Sequence, residues 1–85
     1  MNNILKEKRD YLRVFNLVTA QGNKDGGTYE LNGIKAWHDF EGYTCWLKYK
    51  DLTITMLFHN QYQLDYDYPD TVKKFTDTVD QLLTN

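Results

Sequence analysis

Two-residue turn signals recur at close spacing in the middle of this chain, and they constrain its fold more than any other feature. Asn32-Gly33 is the strongest signal, because both central residues of a type I′ hairpin turn take positive φ and Asn and Gly tolerate it. Glu41-Gly42 and Lys50-Asp51 follow along the chain and are weaker by composition. Together the turns predict a series of antiparallel hairpins that begins at Thr28.

The strand registers that these turns imply agree with one another. Because side chains alternate between the two faces of a strand, each turn also assigns a face to every residue beside it. The predicted cross-strand pairs are Tyr29 and Ala36, Leu31 and Ile34, Trp37 and Trp46, His38 and Cys45, Phe40 and Tyr43, Cys45 and Met56, Leu47 and Ile54, Tyr49 and Leu52, and Tyr43 and Phe58. These registers collect most large apolar side chains on one face and leave the other polar except for Trp37, Trp46 and Leu57.

A fifth strand is expected over residues 62–66. Its side chains Tyr62, Leu64 and Tyr66 reach the apolar face only if residues 59–61 make a three-residue turn, which would carry a bulge. A two-residue turn would place Leu64 beside Leu57 instead. We favour the bulged turn because it buries three large side chains rather than one.

Apolar residues at helical spacing predict a helix on either side of the strands. The first covers residues 3–21, with Asn2 or Asn3 as its cap and with Gly22 ending it in the left-handed conformation. The second begins at Pro69, which fits the first turn of a helix. Its apolar residues are Val72, Phe75, Val79, Leu82 and Leu83.

These elements predict a single α+β domain over residues 1–85, in the order αβββββα. The expected fold is an antiparallel meander of four to five strands; with five strands it is about 20–24 Å wide, and two helices side by side cover about 20 Å. Both terminal helices therefore fit on the apolar face, which gives a two-layer fold. The second sheet face is left to solvent or to a partner.

Composition narrows the classes of function. The formal charge of −2 and the pI near 5.5 provide no general positive field for nucleic acid or an anionic membrane. The N-terminal segment interrupts its apolar residues with charge, so neither a signal peptide nor a membrane span is expected. Cys45 is the only cysteine, which excludes an internal disulfide and fits a reducing, cytoplasmic compartment. No cofactor is expected.

Three short elements of the sequence are shared with a known family. They are D-F-x-G-Y-T at residues 39–44, F-H-N-x-Y at residues 58–62, and Asp65-Tyr66 before the last helix. On these elements the chain resembles a family of short bacterial proteins catalogued as domain of unknown function 3081. The resemblance implies a short chain with helical segments at both ends and an uncharacterised function, and it brings no catalytic residues.

Trp37 and Trp46 are the main candidates for a binding role. They lie opposite each other on the polar face, with Leu57 diagonal to Trp46 and with Lys35 and Lys48 flanking the pair. If uncovered, they would approach the patch size that marks interaction sites, since each tryptophan can bury about 150–250 Å². Alternatively, the pair only stabilises its hairpin, by about 0.5–1 kcal/mol. A stacking platform for single-stranded nucleic acid is a third reading, which the acidic pI disfavours.

A pocket at one end of the sheet is the second candidate site. It would combine His38, Tyr43, His59, Asn60, Tyr62 and Asp65, with Asn60 at positive φ in its turn. His38 beside Cys45 could act as base and nucleophile, or the two could hold a soft metal together with Met56. Against both, a thiol on a central strand behaves as a small inert hydrophobe, so no metal site is expected.

The leading hypothesis is a non-enzymatic protein-interaction module that uses the open sheet face, for a protein partner or for self-association. The alternative is a small-ligand, metal-binding or enzymatic pocket at the sheet end near His38, His59 and Asp65. No membrane partner is expected.

Overall fold

A computed structural model of the protein describes residues 7–84 and shows two helices packed against one antiparallel sheet. The helices are α1, Lys8–Gln21, and α2, Pro69–Thr84. The strands are β1 Asn23–Asp25, β2 Thr28–Leu31, β3 Ile34–His38, β4 Cys45–Tyr49, β5 Leu52–Met56 and β6 Tyr62–Asp65, and they neighbour each other in chain order. The predicted α+β architecture is confirmed, but the sheet has six strands rather than four to five.

α1 begins later than predicted. Glu7 is extended (φ −137°, ψ 164°), so the prediction that the helix includes residue 7 is wrong. The Glu7 N–H donates a hydrogen bond to Oδ2 of Asp10 at 2.9 Å, as in a capping box, and this fixes the start of the helix. The predicted caps Asn2 and Asn3 lie outside the described residues.

Gly22 ends α1 as predicted, but not in the left-handed conformation. Its φ of −80° and ψ of 168° are extended, and its N–H donates to the carbonyl of Val18 at 2.7 Å. Close packing explains the glycine instead, because a Cβ there would lie 2.5 Å from the Val18 oxygen and 2.6 Å from the Glu30 oxygen. The chain passes from α1 directly into β1, with no room for a side chain.

The first strand of the sheet was not predicted. β1 pairs Asn23 with Glu30 and Asp25 with Thr28, across a turn of two glycines. Its three residues are polar and exposed, so the strand has no apolar alternation that a sequence pattern could reveal.

The registers predicted for the central strands are confirmed. Leu31 faces Ile34, and Leu47 faces Ile54. The turn between β2 and β3 has both central residues at positive φ, 52° and 85°, as a type I′ turn requires.

The connection between β3 and β4 is wider than predicted. A type I′ turn would need positive φ at both Glu41 and Gly42, and Gly42 takes it at 80° whereas Glu41 does not. The Asp39 N–H donates to the Thr44 carbonyl at 3.0 Å, and the Gly42 N–H donates to the Asp39 carbonyl at 3.1 Å. Residues 40–43 therefore form a loop beyond the last pair of the hairpin.

β6 joins the sheet with the predicted face inward. Met56 faces Tyr62 and Ile54 faces Leu64, which confirms the apolar orientation of Tyr62 and Leu64. Strand β6 ends at Asp65, so the prediction that Tyr66 belongs to the strand and faces inward is wrong, and its side chain is 47% exposed.

The turn before β6 contains the expected bulge. His59 and Asn60 have φ of 58° and 62°, which confirms the prediction for Asn60. The Leu57 N–H donates to the Gln61 carbonyl at 2.8 Å, and the Gln61 N–H donates to the Phe58 carbonyl at 3.1 Å. Leu57 and Phe58 thus both face Gln61 as a bulge, and the turn itself has two central residues, His59 and Asn60, rather than the predicted three over 59–61.

Both helices pack on the predicted apolar face of the sheet. The buried apolar side chains are Tyr11, Val14, Phe15 and Val18 of α1, Ile34, Ala36, Leu47, Leu52, Ile54 and Met56 of the sheet, and Phe75 and Val79 of α2. Within residues 7–84, neither helix is long and apolar enough to cross a membrane.

Asp51, in the turn between β4 and β5, fastens the start of α2 to the sheet. Its Oδ2 accepts hydrogen bonds from the N–H groups of Asp67 at 2.8 Å and Tyr68 at 3.0 Å, and its Oδ1 accepts one from the hydroxyl of Thr71. These bonds, that of Thr71 above all, lower the pKa of Asp51 to about 2. Pro69 is the first residue of α2, as predicted.

Candidate functional site

The sheet face opposite the helices, called the open face below, has a row of polar and charged side chains across all six strands. Each residue of the row lies directly opposite the next one in the neighbouring strand. The row consists of Asn23, Glu30, Lys35, Lys48, Thr53 and Asp65. Because side chains alternate along a strand, Trp37 and Trp46 project from the same face two residues further on.

Trp37 and Trp46 form the predicted cross-strand pair. They are directly opposite in the register, their ring centroids are 5.9 Å apart, and their planes differ by 14°. Both residues are partly buried, as is Leu57. Since each indole covers part of the other, the pair presents less apolar surface than two uncovered rings would.

The two indole N–H groups remain available to a partner. Within residues 7–84 neither Trp37 nor Trp46 donates a hydrogen bond to another side chain or to the backbone, and no buried side-chain nitrogen there lacks a partner. Both nitrogens therefore reach solvent, so the pair combines an apolar body with two accessible donors.

A groove of about 670 Å³ runs along the open face beside Trp37. It is lined by Asn23, Asp25, Thr28, Glu30, Asn32, Lys35, Trp37 and Lys48. The predicted interaction residues Lys35, Trp37 and Lys48 are among them, whereas Trp46 and Leu57 lie outside the lining. Strand β1, for which the sequence gives no signal, supplies one wall of the groove.

Lys35 and Lys48 are directly opposite each other in the groove, and both side chains are exposed. Neither forms an ion pair with any residue in the part of the chain that the structure describes. Like charges directly opposite each other in a sheet are destabilising, by a few tenths of a kcal/mol or about 1 kcal/mol at most. The two ammonium groups therefore form a cationic pair that has no ion-pair partner among the described residues.

The predicted pocket at the sheet end is brought together only in part. Asn60 and Tyr62 line a second cavity of about 390 Å³ with Glu7, Lys8 and Arg9, next to the start of α1. Tyr62 also contacts Tyr11, with ring centroids 4.8 Å apart, and burial raises the pKa of Tyr11 to about 12. Neither His38 nor His59 lines this cavity.

The remaining pocket candidates point elsewhere. His38 is exposed, and its Nδ1 lies 2.7 Å from the Asp39 carbonyl oxygen. Asp65 projects from the open face, opposite Thr53, and so lies on the other side of the sheet from His38 and Tyr62. The described residues contain no group of three or more His, Cys, Asp and Glu side chains placed to hold a metal ion.

Cys45 and His38 are opposite each other in the register but do not form a hydrogen bond. Burial raises the pKa of the Cys45 thiol, an effect that Lys8 partly offsets. The thiolate, which is the nucleophilic form, is thereby disfavoured.

An exposed aromatic cluster at the end of the sheet was missed by sequence reasoning. Phe40 is 92% exposed, Tyr43 55% and Phe58 54%, so the prediction that these three face the core is wrong. Tyr43 contacts Phe58 with ring centroids 5.0 Å apart, and His59 lies beside Phe58. Strand β3 ends at His38, and the alternation of faces does not continue into the loop.

The fold and its surfaces define a small two-layer α+β protein whose sheet is covered on one face and open on the other. The chain belongs to the family described as "Protein of unknown function (DUF3081)", whose family model matches residues 6–85. The D-F-x-G-Y-T and F-H-N-x-Y elements form the two loops of the exposed aromatic cluster. No curated protein and no solved structure matches the chain.

Proposed function

We propose that the protein is a non-enzymatic interaction module whose open face binds a protein partner. The observation that supports this most is the stacked Trp37–Trp46 pair, which borders the groove on the face that neither helix covers. The opposite face supplies the core and the turns set the register, so neither the core nor the register requires tryptophan at these positions.

The chemistry of the pair suits a protein interface. Tryptophan is enriched among the residues that dominate binding energy, because one large rigid ring loses little conformational entropy when it is covered. Polar side chains line the groove beside Trp37, as at the rim of an interface. A non-enzymatic role is supported by Cys45, whose raised pKa and missing bond to His38 leave it a weak nucleophile.

Site-specific photo-crosslinking in the host cell tests the proposal. The crosslinker replaces Thr55, which lies opposite Trp46 on the open face, and in a matched control it replaces Lys74, an exposed residue of α2. We expect a defined protein adduct from position 55 and none of the same mass from position 74. Adding Trp37→Thr and Trp46→Thr should reduce the adduct at least about tenfold, the loss expected of interface tryptophans.

The fold of the doubly substituted chain is checked by its amide NMR spectrum, which should keep its dispersion. Identical adducts from both positions, or an adduct that survives loss of both tryptophans in a folded chain, would contradict the proposal. An adduct with the mass of two chains would show that the open face binds a second copy of the protein rather than a different protein partner.

Small-ligand binding in the second cavity is a further candidate, favoured by the presence of Asn60 and Tyr62 beside Lys8 and Arg9. A ligand that binds only the native state raises its melting temperature. A metabolite that does so for the natural chain should do so less for Asn60→Gly, which removes the amide while keeping the positive φ. If no metabolite in a broad screen shifts the melting temperature, this candidate fails.

A further inference from the structure

We propose that the group which enters the open-face groove is a carboxylate of an acidic protein segment, seated between Lys35 and Lys48. This inference rests on the proposed function and names the chemistry of the partner. It is carried by the charge and register of the groove residues, which are independent of the tryptophan stacking.

The cationic pair is the first step. Residues directly opposite each other in an antiparallel sheet have Cβ atoms about 4.5–5.5 Å apart, so both ammonium groups can reach one anion. Neither Lys35 nor Lys48 forms an ion pair with a carboxylate of the described chain, although Glu30 lies opposite Lys35 in the register. A carboxylate between them would accept two charge-assisted hydrogen bonds and offset their repulsion.

Two carboxylates that line the groove determine which kind of anion it can accept. Glu30 lies directly beside Lys35, and Asp25 lines the same groove. A polyanion such as nucleic acid, or a doubly charged phosphate, would meet these carboxylates as well as the lysines. A single carboxylate brings only one negative charge and so meets less repulsion from Glu30 and Asp25 than a polyanion or a doubly charged phosphate would, and the net charge of −2 provides no general attraction that could favour a polyanion.

The spacing of side chains along β3 determines which residue of the partner segment lies next to the bound carboxylate. Trp37 follows Lys35 by two residues and lines the same groove, so the two side chains are about 6.4–6.8 Å apart along the strand. An extended partner segment has the same repeat. Its acidic residue at the lysine pair therefore places the side chain two positions away against Trp37, where an aromatic or aliphatic group fits. The segment therefore carries its acidic and apolar residues two positions apart, as in acidic–x–apolar.

The probe is the acetylated and amidated peptide Ser-Glu-Thr-Tyr-Ser, titrated into the full-length labelled protein at low salt and followed by amide and indole NMR shifts. The matched peptide has Gln in place of Glu, and inorganic phosphate is the second comparison. We expect shifts centred on Lys35, Trp37 and Lys48 with a Kd of about 1 mM or tighter. Binding should weaken as sodium chloride rises from about 20 to about 300 mM, because exposed charges are screened.

Paired substitutions test the lysines directly. Lys35→Gln with Lys48→Gln should raise the Kd of the Glu peptide about tenfold or more, whereas Lys73→Gln with Lys74→Gln, the same charge change on exposed positions of α2, should leave it unchanged. The Gln peptide should bind the natural chain as weakly as the Glu peptide binds the groove variant.

Four results would overturn the inference: no localised shifts, equal binding of both peptides, undiminished binding without the two lysines, or phosphate binding at least as tightly at the same residues. Its failure is distinguishable from failure of the proposed function. If the peptide does not bind but the open-face adduct still depends on the tryptophans, the interaction module is supported and the carboxylate inference is refuted. If the peptide binds but the adduct is indifferent to the tryptophans, the reverse holds.

Discussion

Single carboxylates and glycines set several features of this fold through contacts that are distant in sequence. Asp51 accepts bonds from the backbone of Asp67 and Tyr68 and from the Thr71 hydroxyl, and so ties a turn of the sheet to the start of α2. The sequence marks Asp51 only as a turn residue. Its role as an anchor depends on residues that approach it only after the sheet and helix have packed.

The lowered pKa of Asp51 predicts a dependence of stability on pH. Its pKa falls from 3.8 to about 2 on folding, so the ionised carboxylate stabilises the native state above pH 3.8, and this contribution is lost as the pH falls from there through about 2. Thr71→Val removes the largest cause of the shift, so its urea unfolding free energy should fall less steeply over that window than that of the natural chain.

Thr71→Ser retains the hydroxyl and is the matched control, whose pH profile should follow that of the natural chain. If Thr71→Val and Thr71→Ser show the same slope between pH 4 and pH 2, the hydroxyl does not set the pKa of Asp51.

Two glycines near β1 offer a second comparison. Gly22→Ala should destabilise the protein by about 1–3 kcal/mol, because its Cβ would meet two backbone oxygens that cannot move independently of α1 and β2. Gly27→Ala should be neutral or more stable by up to about 1 kcal/mol, because a Cβ there meets nothing within 4 Å. Chemical denaturation of both variants measures the difference, and equal effects would refute the packing explanation.

Aromatic side chains are exposed in the β3–β4 loop and buried in α2. Phe40 lies in the β3–β4 loop and is 92% exposed, whereas Phe75 of α2 is 1% exposed and contacts Tyr49 with ring centroids 5.8 Å apart. We expect Phe75→Ala to cost about 3–5 kcal/mol of unfolding free energy. Phe40→Ser should change it by less than about 0.5 kcal/mol. A large loss on replacing Phe40 would mean that its ring packs on the fold in solution.

The elements that could be predicted are those that local chemistry specifies. Asn32-Gly33 set its hairpin because both residues accept positive φ, and the apolar pairs on either side fixed the face. The two-residue turn predicted at Glu41-Gly42 is wrong because only the glycine takes positive φ. The connection is a wider loop, and its aromatic side chains are exposed. β1 was not predicted because it pairs with β2 through the backbone and has no apolar side chain whose alternation would indicate a strand.

The candidate site was predictable to the same extent. The predicted register places Trp37 opposite Trp46, and the structure confirms this pairing. Lys35 and Lys48 lie beside the tryptophans, as predicted, and opposite each other. The groove itself could not be predicted, because it is lined in part by β1, which no apolar pattern in the sequence indicates. Asp65 was grouped with the pocket at the sheet end, but alternation along β6 places it on the open face, away from His38 and Tyr62.

At the scale of the whole molecule, one core is shared by both ends of the chain, and this predicts cooperative unfolding. Val14 of α1 and Val79 of α2 are fully buried on the same sheet face. Val14→Ala and Val79→Ala should each lower the unfolding free energy by about 1–3 kcal/mol.

The transition should remain two-state in both variants. Tryptophan fluorescence, which reports on β3 and β4, and far-UV circular dichroism, which reports mainly on the helices, should give coincident denaturation curves. The open face contributes none of these core contacts, so Lys48→Gln is the matched control and should leave the midpoint nearly unchanged or slightly raised, because it removes a like-charge pair. If circular dichroism falls before fluorescence in Val79→Ala, α2 unfolds separately from the sheet, and the binding surface would then be independent of the helix that closes the opposite face.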